Sequence, residues 1–394
     1  MKVTVPDYYD QFRCLAGACP HSCCEKWEVV IDEATVCLYE TVSGPLGEKL
    51  KAAMETDEDG DVCFPLNGGR CPFLDHENLC EIHKQLGEQA TSETCREHPR
   101  FTEDYGSFRE ITLSASCPAA NDLLLKSEAP LGFKTFETEE PEEEGDSWLE
   151  CLLPLRKCMM QILSDRSQPL KMRLRRFLLL AVEAQWRIDE ELIETLPALA
   201  EEWQEESVPV GDVRPLFPEV LRLLASMEIL EEDWKALLLQ GEAAVSKEEN
   251  ESLLERIAMY FVFRYLLKCV NDGDLLSRAQ FCVLAVLVID RLAAVCGLSE
   301  ALRRFSCELE HSDVNLETLQ DMLFRGDELS LRQFLIHLFQ ERSPHWSRPV
   351  IVNWQWQVVL QPIPEFVQIW LQQRKNLAHR FICRPFPCVE TMQL

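Results

Sequence analysis

The residues of this sequence best suited to chemistry are the thiols near its beginning. Four cysteines fall within eleven residues, and four more follow in short, turn-rich contexts before residue 118. The eight are Cys14, Cys19, Cys23, Cys24, Cys71, Cys80, Cys95 and Cys117. Thiolates are soft, strongly binding ligands, and clusters of them usually hold zinc or an iron–sulfur centre. The clustering therefore predicts a metal centre that draws on these eight thiols.

The spacing of the first thiols leaves the number of centres open. Four residues separate Cys14 from Cys19 and three separate Cys19 from Cys23, so a loop can wrap one ion at either gap. Cys24 follows Cys23 directly, and neighbouring side chains diverge. These two thiols therefore serve two centres, or one of them binds while the other packs or exchanges. Eight thiols allow two zinc sites, or one cluster with reserve thiols.

The later thiols favour iron. They arrive singly rather than as tight pairs, and an iron–sulfur cluster accepts ligands from widely separated loops. We expect one 4Fe-4S cluster held by a subset of the eight, with zinc as the alternative.

The context of the cysteines changes along the chain. Of the 18 cysteines, ten lie at or before Cys117, beside turn formers, and the later ones sit in apolar helical patterns. Residues 137–146 carry seven acidic side chains in ten, with Pro141 and Gly145. We predict a mostly α protein: a small, irregular α+β cysteine-rich metal module at 1–125, an acidic linker at 126–147 and an all-α helical domain at 148–394.

Short elements are predicted within the module. Trp27–Asp32 and Glu110–Leu113 read as strands, and Ala34–Glu55 as a helix interrupted at Ser43–Pro45. A hairpin-like turn joins Cys71–Leu74 to Leu79–Ile82. So few core aliphatics are present that a bound metal would supply much of the folding energy.

Apolar spacing of three and four residues predicts helices throughout the rest of the chain. They are Trp148–Ser164, Leu170–Ile188, Leu221–Leu230, Trp234–Val245, Glu251–Val270, Leu275–Cys296, Leu302–Leu309, Leu316–Phe324, Leu331–Gln340 and Glu365–Arg380. Gly273, Gly297 and Gly326 fall just past predicted helix ends, where a left-handed cap is favoured. Val350–Leu360 has the alternation of a strand.

The amino-acid composition limits the classes of molecule that the protein can be expected to bind. With 67 acidic and 39 basic residues the net charge is −28, which disfavours nucleic acid because phosphate binding needs a basic face. An acidic surface suits solubility or a substrate that presents lysine. The first residues lack a signal-peptide pattern, and the longest strongly apolar run, Phe281–Ile289, is shorter than a bilayer span. We expect no membrane partner and a cytoplasmic location, where thiols stay reduced.

Several motifs together resemble one known family. They are Phe12–Cys14, Cys19, Cys23–Cys24, Trp27–Asp32, Cys71–Leu74, Leu79–Ile82, Leu86–Gly87, Cys95–Arg100 and Glu110–Pro118. This set resembles the flagellin lysine N-methylases, which share their cysteine module with a broader group of zinc- or iron-chelating proteins. The strong motifs cover residues 8–120, and a weaker likeness reaches Tyr265. The sequence departs from the family at His98, where an aromatic Tyr is more frequent.

The resemblance implies methyl transfer from S-adenosylmethionine to lysine ε-amines of flagellin, aided by an iron–sulfur cluster. Such a reaction needs a group that accepts the proton of the amine. Glu110, Tyr105 and His98 are candidates because they lie among the module cysteines, and Arg100 could pair with the carboxylate of the donor. An ordinary structural role is the competing interpretation for each.

Two common methyl-donor signatures are missing from the sequence. There is no Gly-x-Gly-x-x-Gly fingerprint, and Cys19-x3-Cys23 is not followed by a cysteine two residues later, as a radical methyl-transfer motif requires. Two other functions therefore stay open: a non-catalytic metal-binding adaptor, and a redox-sensing iron–sulfur protein suggested by Cys23–Cys24.

Overall fold

A computed structural model describes residues 1–25, 29–57, 60–203, 216–244 and 250–326, with single positions between 329 and 338. The chain forms two compact units. The first consists of Met1–Asp146, Leu221–Tyr260 and Ala285–Leu316, and the second of Ser147–Val220, Phe261–Leu284 and the residues from Glu317 on. The predicted Val350–Leu360 strand, the Glu365–Arg380 helix and most of the Leu331–Gln340 helix lie outside the described residues.

The described residues contain seven strands, all in the first unit. They are β1 (Lys2–Pro6), β2 (Val29–Val30), β3 (Glu55–Thr56), β4 (Val62–Phe64), β5 (Arg100–Asp104), β6 (Phe108–Leu113) and β7 (Phe133–Glu137). Four of them form a mixed sheet in the order β5-β6-β1-β7, in which only β1 and β6 run parallel. The other three form a small antiparallel sheet in the order β2-β4-β3.

Fourteen α-helices lie in the described residues. They are α1 (Glu33–Thr41), α2 (Gly44–Ala53), α3 (Glu81–Leu86), α4 (Glu93–Glu97), α5 (Pro118–Leu125), α6 (Trp148–Ser164), α7 (Leu170–Asp189), α8 (Leu196–Glu202), α9 (Leu216–Ser226), α10 (Trp234–Ala243), α11 (Glu251–Tyr265), α12 (Leu275–Cys296), α13 (Leu298–Glu310) and α14 (Asp313–Arg325). The protein is mostly helical, as predicted, and beyond β7 the described residues include no strand.

The mixed sheet extends into the segment predicted as an acidic linker. Strand β7 pairs along the whole of β1, from Lys2 opposite Glu137 to Pro6 opposite Phe133. The N-terminal ammonium donates to the carbonyls of Thr138 (3.0 Å) and Glu140 (2.7 Å). The sequence up to Glu140 is therefore part of the first unit, with the acidic run directly after its last strand.

A compact apolar core lies within residues 31–90. Its buried members are Ile31, Tyr39, Leu46, Leu50, Phe64, Phe73, Ile82 and Ala90. The rings of Phe64 and Phe73 are 4.6 Å apart in a tilted arrangement, and Cys71 and Cys80 pack against the cluster. The module therefore contains a buried apolar cluster, and the contribution of a metal to its folding stays a prediction.

Local sequence explains where the helices of this region begin. The side chain of Asp32 caps α1 by accepting a hydrogen bond from the Thr35 amide at 2.9 Å. The predicted interruption at Ser43–Pro45 is the break between α1 and α2, and Pro45 occupies the first turn of α2, where its missing N–H costs nothing.

In the second unit, the helix predictions agree closely with the structure. Helix α6 has the predicted bounds, and α7 ends one residue later than predicted. The side chain of Gln185 joins two segments of this unit, donating to the Gly273 carbonyl at 2.8 Å and accepting from the Leu276 amide at 2.8 Å. Gly273 has a φ of 77°, as predicted for a cap after a helical segment.

Helix α12 is the one long, strongly apolar helix among the described residues. By length and composition it could cross a membrane, since its most apolar stretch has a mean hydropathy of 2.0. In the structure 61% of that stretch is buried in the protein. Core helices of globular proteins pass the same test, so the apolarity of α12 matches its place in a core.

Candidate functional site

The eight predicted thiol ligands all lie in the first unit, in loops and at helix starts. Cys14 and Cys95 are exposed, and the other six are half-buried. Cys80 and Cys117 immediately precede α3 and α5, and Cys95 lies within α4, whose start is capped by Ser92. The bridge between Leu74 and Cys80 and the turn at Asp75–Asn78 confirm the hairpin-like turn, although Ile82 already belongs to a helix.

The adjacent thiols of Cys23 and Cys24 interact through a hydrogen bond. A hydrogen bond from Cys23 lowers the pKa of Cys24 to about 7, and the same bond, reinforced by burial, raises the pKa of Cys23. The pair therefore gives up one proton near neutrality and keeps the other. A thiolate is the form that binds metals, so Cys24 is the thiol prepared for ligation.

Electrostatic coupling connects Cys24 with three thiols far from it in sequence. Burial raises the pKa of Cys71 to about 12, and the charges of Cys24, Cys95 and Cys80 add to this rise. The charge of Cys24 also raises the pKa of Cys80 and of Cys95, after the larger effect of burial of the thiol group, although Cys95 is exposed as a residue. These thiols therefore lie within electrostatic reach of one another.

A second set of thiols couples around Cys117. Its pKa is raised chiefly by burial and also by the charges of Cys19 and Cys14. Cys14 also raises the pKa of Cys23, and Cys24 that of Cys19. Through these links each of the eight thiols is electrostatically connected with at least one other, and the eight are hereafter called the thiol cluster.

The thiol cluster has the donor chemistry of a thiolate-bound metal site. Within the described ranges, however, no three His, Cys, Asp or Glu side chains stand close enough together to hold an ion. Which of the thiols bind, and whether they bind iron or zinc, stays a prediction.

Arg100, which was predicted to pair with the carboxylate of the methyl donor, is the first residue of β5 and contacts side chains of the N-terminal segment. Its Nε donates to the Tyr9 hydroxyl at 3.1 Å, and its guanidinium lies 5.9 Å from the Tyr9 ring and 5.5 Å from the Phe12 ring. Phe12 is two residues before Cys14. In this structure Arg100 therefore holds the chain that leads into the thiol cluster.

His98 lies beside a second histidine that the sequence did not single out. The centroids of His98 and His311 are 6.0 Å apart. Burial, together with the charge of His311, lowers the pKa of His98 to about 4. His98 is thus neutral at physiological pH and has the lone pair that a proton acceptor needs, but its basicity is weak.

Glu110 and Tyr105 occupy other parts of the mixed sheet. Glu110 is buried at the centre of β6, opposite Thr4 of β1 and Glu103 of β5. Tyr105 lies in the turn between β5 and β6 and stacks on Phe108 at 5.0 Å. The catalytic role of the three predicted proton acceptors stays a prediction.

A cavity of about 380 Å³ lies next to the thiol cluster. One wall comes from Pro20 and His21, between Cys19 and Cys23, and another from Pro118, which follows Cys117. Residues 296–300 and Arg303, at the end of α12 and the start of α13, close the opposite side. The cavity belongs entirely to the first unit.

Asn121 fixes the two walls of this cavity against each other. Its buried amide donates to the carbonyls of Ala115 and Ser299, both at 3.0 Å, and its oxygen accepts from the Ser299 hydroxyl at 3.2 Å. An asparagine within the apolar run Pro118–Leu125 was the sequence signal for such a role, because a buried amide must find partners.

Comparisons with known proteins agree with the resemblance carried by the cysteine motifs. The flagellar biosynthetic protein FliU of Salmonella muenchen is 30% identical over 129 residues, which are 76% of its length. The chain belongs to the flagellin lysine N-methylase family. Two further family members, named Lysine-N-methylase, from Salmonella typhimurium and Salmonella choleraesuis, are also 30% identical over 129 residues.

The family match is partial in length. It covers 31% of this chain and 32% of each of the two lysine N-methylases, so the chain matches about a third of the length of these two relatives. No family model matches the chain. No solved structure is similar to it.

Proposed function

We propose that this protein methylates lysine ε-amines of flagellin with S-adenosylmethionine as the donor, and that its thiol cluster holds an iron–sulfur centre. The observation that carries the proposal is the 30% identity to proteins named Lysine-N-methylase and to the flagellar protein FliU. The position of a cavity beside the thiol cluster supports it, since an enzyme needs a place for a small-molecule donor.

The chemistry is a displacement at carbon. The bound donor supplies an electrophilic methyl group on a positively charged sulfur. A neutral lysine amine attacks that carbon, the carbon–sulfur bond breaks, and the sulfur leaves as a neutral thioether with the bonding electron pair. The new methylammonium can then release a proton to a side chain or to water. The protein's task is to hold the lysine dry, neutral and in line.

The charge of the chain supports the choice of substrate class. A net charge of −28 attracts a protein that presents lysines and raises the rate of encounter at low salt. The thiol cluster would hold the centre through a subset of its eight cysteines, among which a hydrogen bond from Cys23 lowers the pKa of Cys24.

The test is methyl transfer by anaerobically purified, iron-reconstituted protein. With S-adenosylmethionine and a lysine-bearing flagellin, intact-mass spectrometry should show increments of one methyl group, and peptide mapping should place them on lysine. Flagellin whose lysines have been chemically blocked is the control. A fully loaded protein that transfers no methyl group would contradict the proposal.

A redox-sensing iron–sulfur protein is the second candidate, and the hydrogen-bonded pair Cys23–Cys24 favours it. A protein of that kind would change the oxidation state of its centre reversibly and would neither bind the methyl donor nor modify flagellin. The same mass measurement, combined with a redox titration, separates the two functions.

A further inference from the structure

We propose that the cavity beside Cys19 and Cys117 binds the methyl donor, a cationic sulfonium nucleoside with an α-amino-acid end. This inference rests on the proposed methyltransferase function and assigns it a place that the sequence does not reveal. Pro20 and Pro118, each adjacent to a thiol of the cluster, line the cavity.

The size of the cavity favours the donor over the acceptor. Pockets for small organic ligands typically enclose roughly 300–1,000 Å³, and this one measures about 380 Å³. A lysine side chain entering alone would fill only a small part of it. A nucleoside with an amino-acid tail matches the available volume.

The lining combines apolar faces with acidic groups. Pro20, Pro118 and Leu298 offer the flat apolar surface that a purine base requires. Asp122 is exposed in the second half of α5, and Glu300 lies in the first turn of α13. These carboxylates suit a ligand that carries a positive sulfur and an ammonium.

The one guanidinium in the lining is committed to protein partners. Arg303 donates to both carboxylate oxygens of Glu231, at 3.0 and 3.1 Å, and to both of Glu300, at 2.8 Å. These bonds, together with the effect of Arg304, lower the pKa of Glu300 to about 2, so this carboxylate stays charged. With Asp122 and Glu300 against Arg303, the cavity keeps one net negative charge when His21 is neutral.

The experiment measures binding directly, by calorimetry with S-adenosylmethionine and with its demethylated product, which lacks the charge on sulfur. Leu298→Trp should fill the cavity and weaken both ligands at least about tenfold. Asp122→Lys should weaken the charged donor by about three- to tenfold and the neutral-sulfur product less, because only the donor also loses the attraction between a carboxylate and a positive sulfur.

Matched controls come from helix α1 of the same unit. Leu38→Trp and Glu40→Lys make the same chemical changes at exposed positions away from the cavity. Both controls should bind the donor like the parent protein, and thermal melting should show all four variants folded. Asp122 is exposed, so Asp122→Lys keeps the test valid even where Leu298→Trp folds poorly.

The possible outcomes separate this inference from the function on which it rests. Parent protein that binds the donor, with both cavity variants binding equally well, overturns the cavity assignment and leaves the function standing. If the two cavity variants bind the donor with unchanged affinity but have a raised KM for flagellin, the cavity binds the acceptor lysine, and the assignment is again overturned. Parent protein that neither binds the donor nor methylates flagellin refutes both.

Discussion

His311 and Ser116 form a hydrogen bond, with 2.7 Å between Nε2 of the imidazole and Oγ of the serine. Ser116 directly precedes Cys117 in the chain. The same nitrogen is 3.1 Å from Oγ of Ser114. The Ser114 amide donates to the Pro99 carbonyl at 2.7 Å, which brings the residue after His98 to the same place. His311, the residue that follows α13, thereby holds the segment Ser114–Cys117, which contains one of the predicted thiol ligands.

Removing this imidazole should loosen that segment. His311→Ala takes a partner from the hydroxyls of Ser114 and Ser116, which still bond each other at 2.8 Å, so we expect a loss of about 1–2 kcal/mol in the free energy of unfolding. Denaturant titration measures it, and His311→Gln should recover part of the loss. The control is His76→Ala, at an exposed turn position. Equal stability of His311→Ala and His76→Ala would contradict the role.

His98 should make stability depend on pH in a defined window. Its pKa is about 4 in the folded protein and about 6.5 when unfolded, so between these values the unfolded chain binds a proton that the folded chain does not. Stability is therefore fully present above pH 6.5 and is lost as the pH falls toward 4. The loss from this group reaches at most about 3 kcal/mol, at 1.36 kcal/mol per unit.

His98→Gln removes that titration, so its stability should fall less steeply between pH 6.5 and 4 than that of the parent. Urea titrations at several pH values supply the comparison, and His76→Gln is the matched control. A variant whose profile parallels the parent throughout this range would show that His98 is not the group responsible.

The sequence predicted the long helices well because their signal is local. The periodic apolar residues of Trp148–Ser164 and Leu275–Cys296 lie within each element, and the bounds were confirmed to the residue. The parallel pairing of β1 with β6 joins Lys2 to Phe108, and no local pattern specifies such a partner. The five-residue strands β1, β5 and β7 were not predicted, because they give too little alternation to distinguish them from loops, whereas the predicted strand Glu110–Leu113 lies within β6.

The candidate site was predictable in its residue types but only partly in its arrangement. The clustering of cysteines predicted a set of ligands, and the charge of Cys24 acts on the pKa of Cys71 and of Cys95, but the ligand set itself stays a prediction. His311 could not be found in this way, because it is a lone imidazole some two hundred residues from Ser116. Its role depends on tertiary packing, which brings α13 to the end of β6.

Asn121 should be far more sensitive to substitution than its neighbour. Asn121→Ala removes three hydrogen bonds and leaves the carbonyls of Ala115 and Ser299 without that donor, which we expect to cost about 2–4 kcal/mol. Asp122→Ala, at an exposed position on the same helix, should change stability by less than about 0.5 kcal/mol. Thermal melting of the two variants measures this difference. Similar melting temperatures would show that Asn121 does not hold the two walls of the cavity together.

Metal removal should affect the two parts of the thiol region differently. The apolar core around Phe64 and Phe73 gives residues 31–90 a basis for folding without a ligand. The loop from Cys14 to Cys24 has no helix longer than three residues and is largely exposed or half-buried. Hydrogen exchange on protein stripped of metal should show fast exchange in this loop and retained protection in residues 31–90. Fast exchange in both would show that the metal, rather than the core, maintains the whole region.

A single thiol substitution tests whether the cluster holds that metal. Cys19→Ala should lose most of the bound iron and sulfide after anaerobic reconstitution, because a thiolate ligand is missing, and its loop should exchange as in the stripped protein. Cys37→Ala is the matched control, since Cys37 is an exposed thiol of α1 outside the predicted ligand set. It should retain the brown colour and the iron and sulfide content of the parent. If the parent protein takes up only zinc, the site is a zinc site rather than an iron–sulfur centre. If Cys19→Ala retains all of its iron, Cys19 is not a ligand.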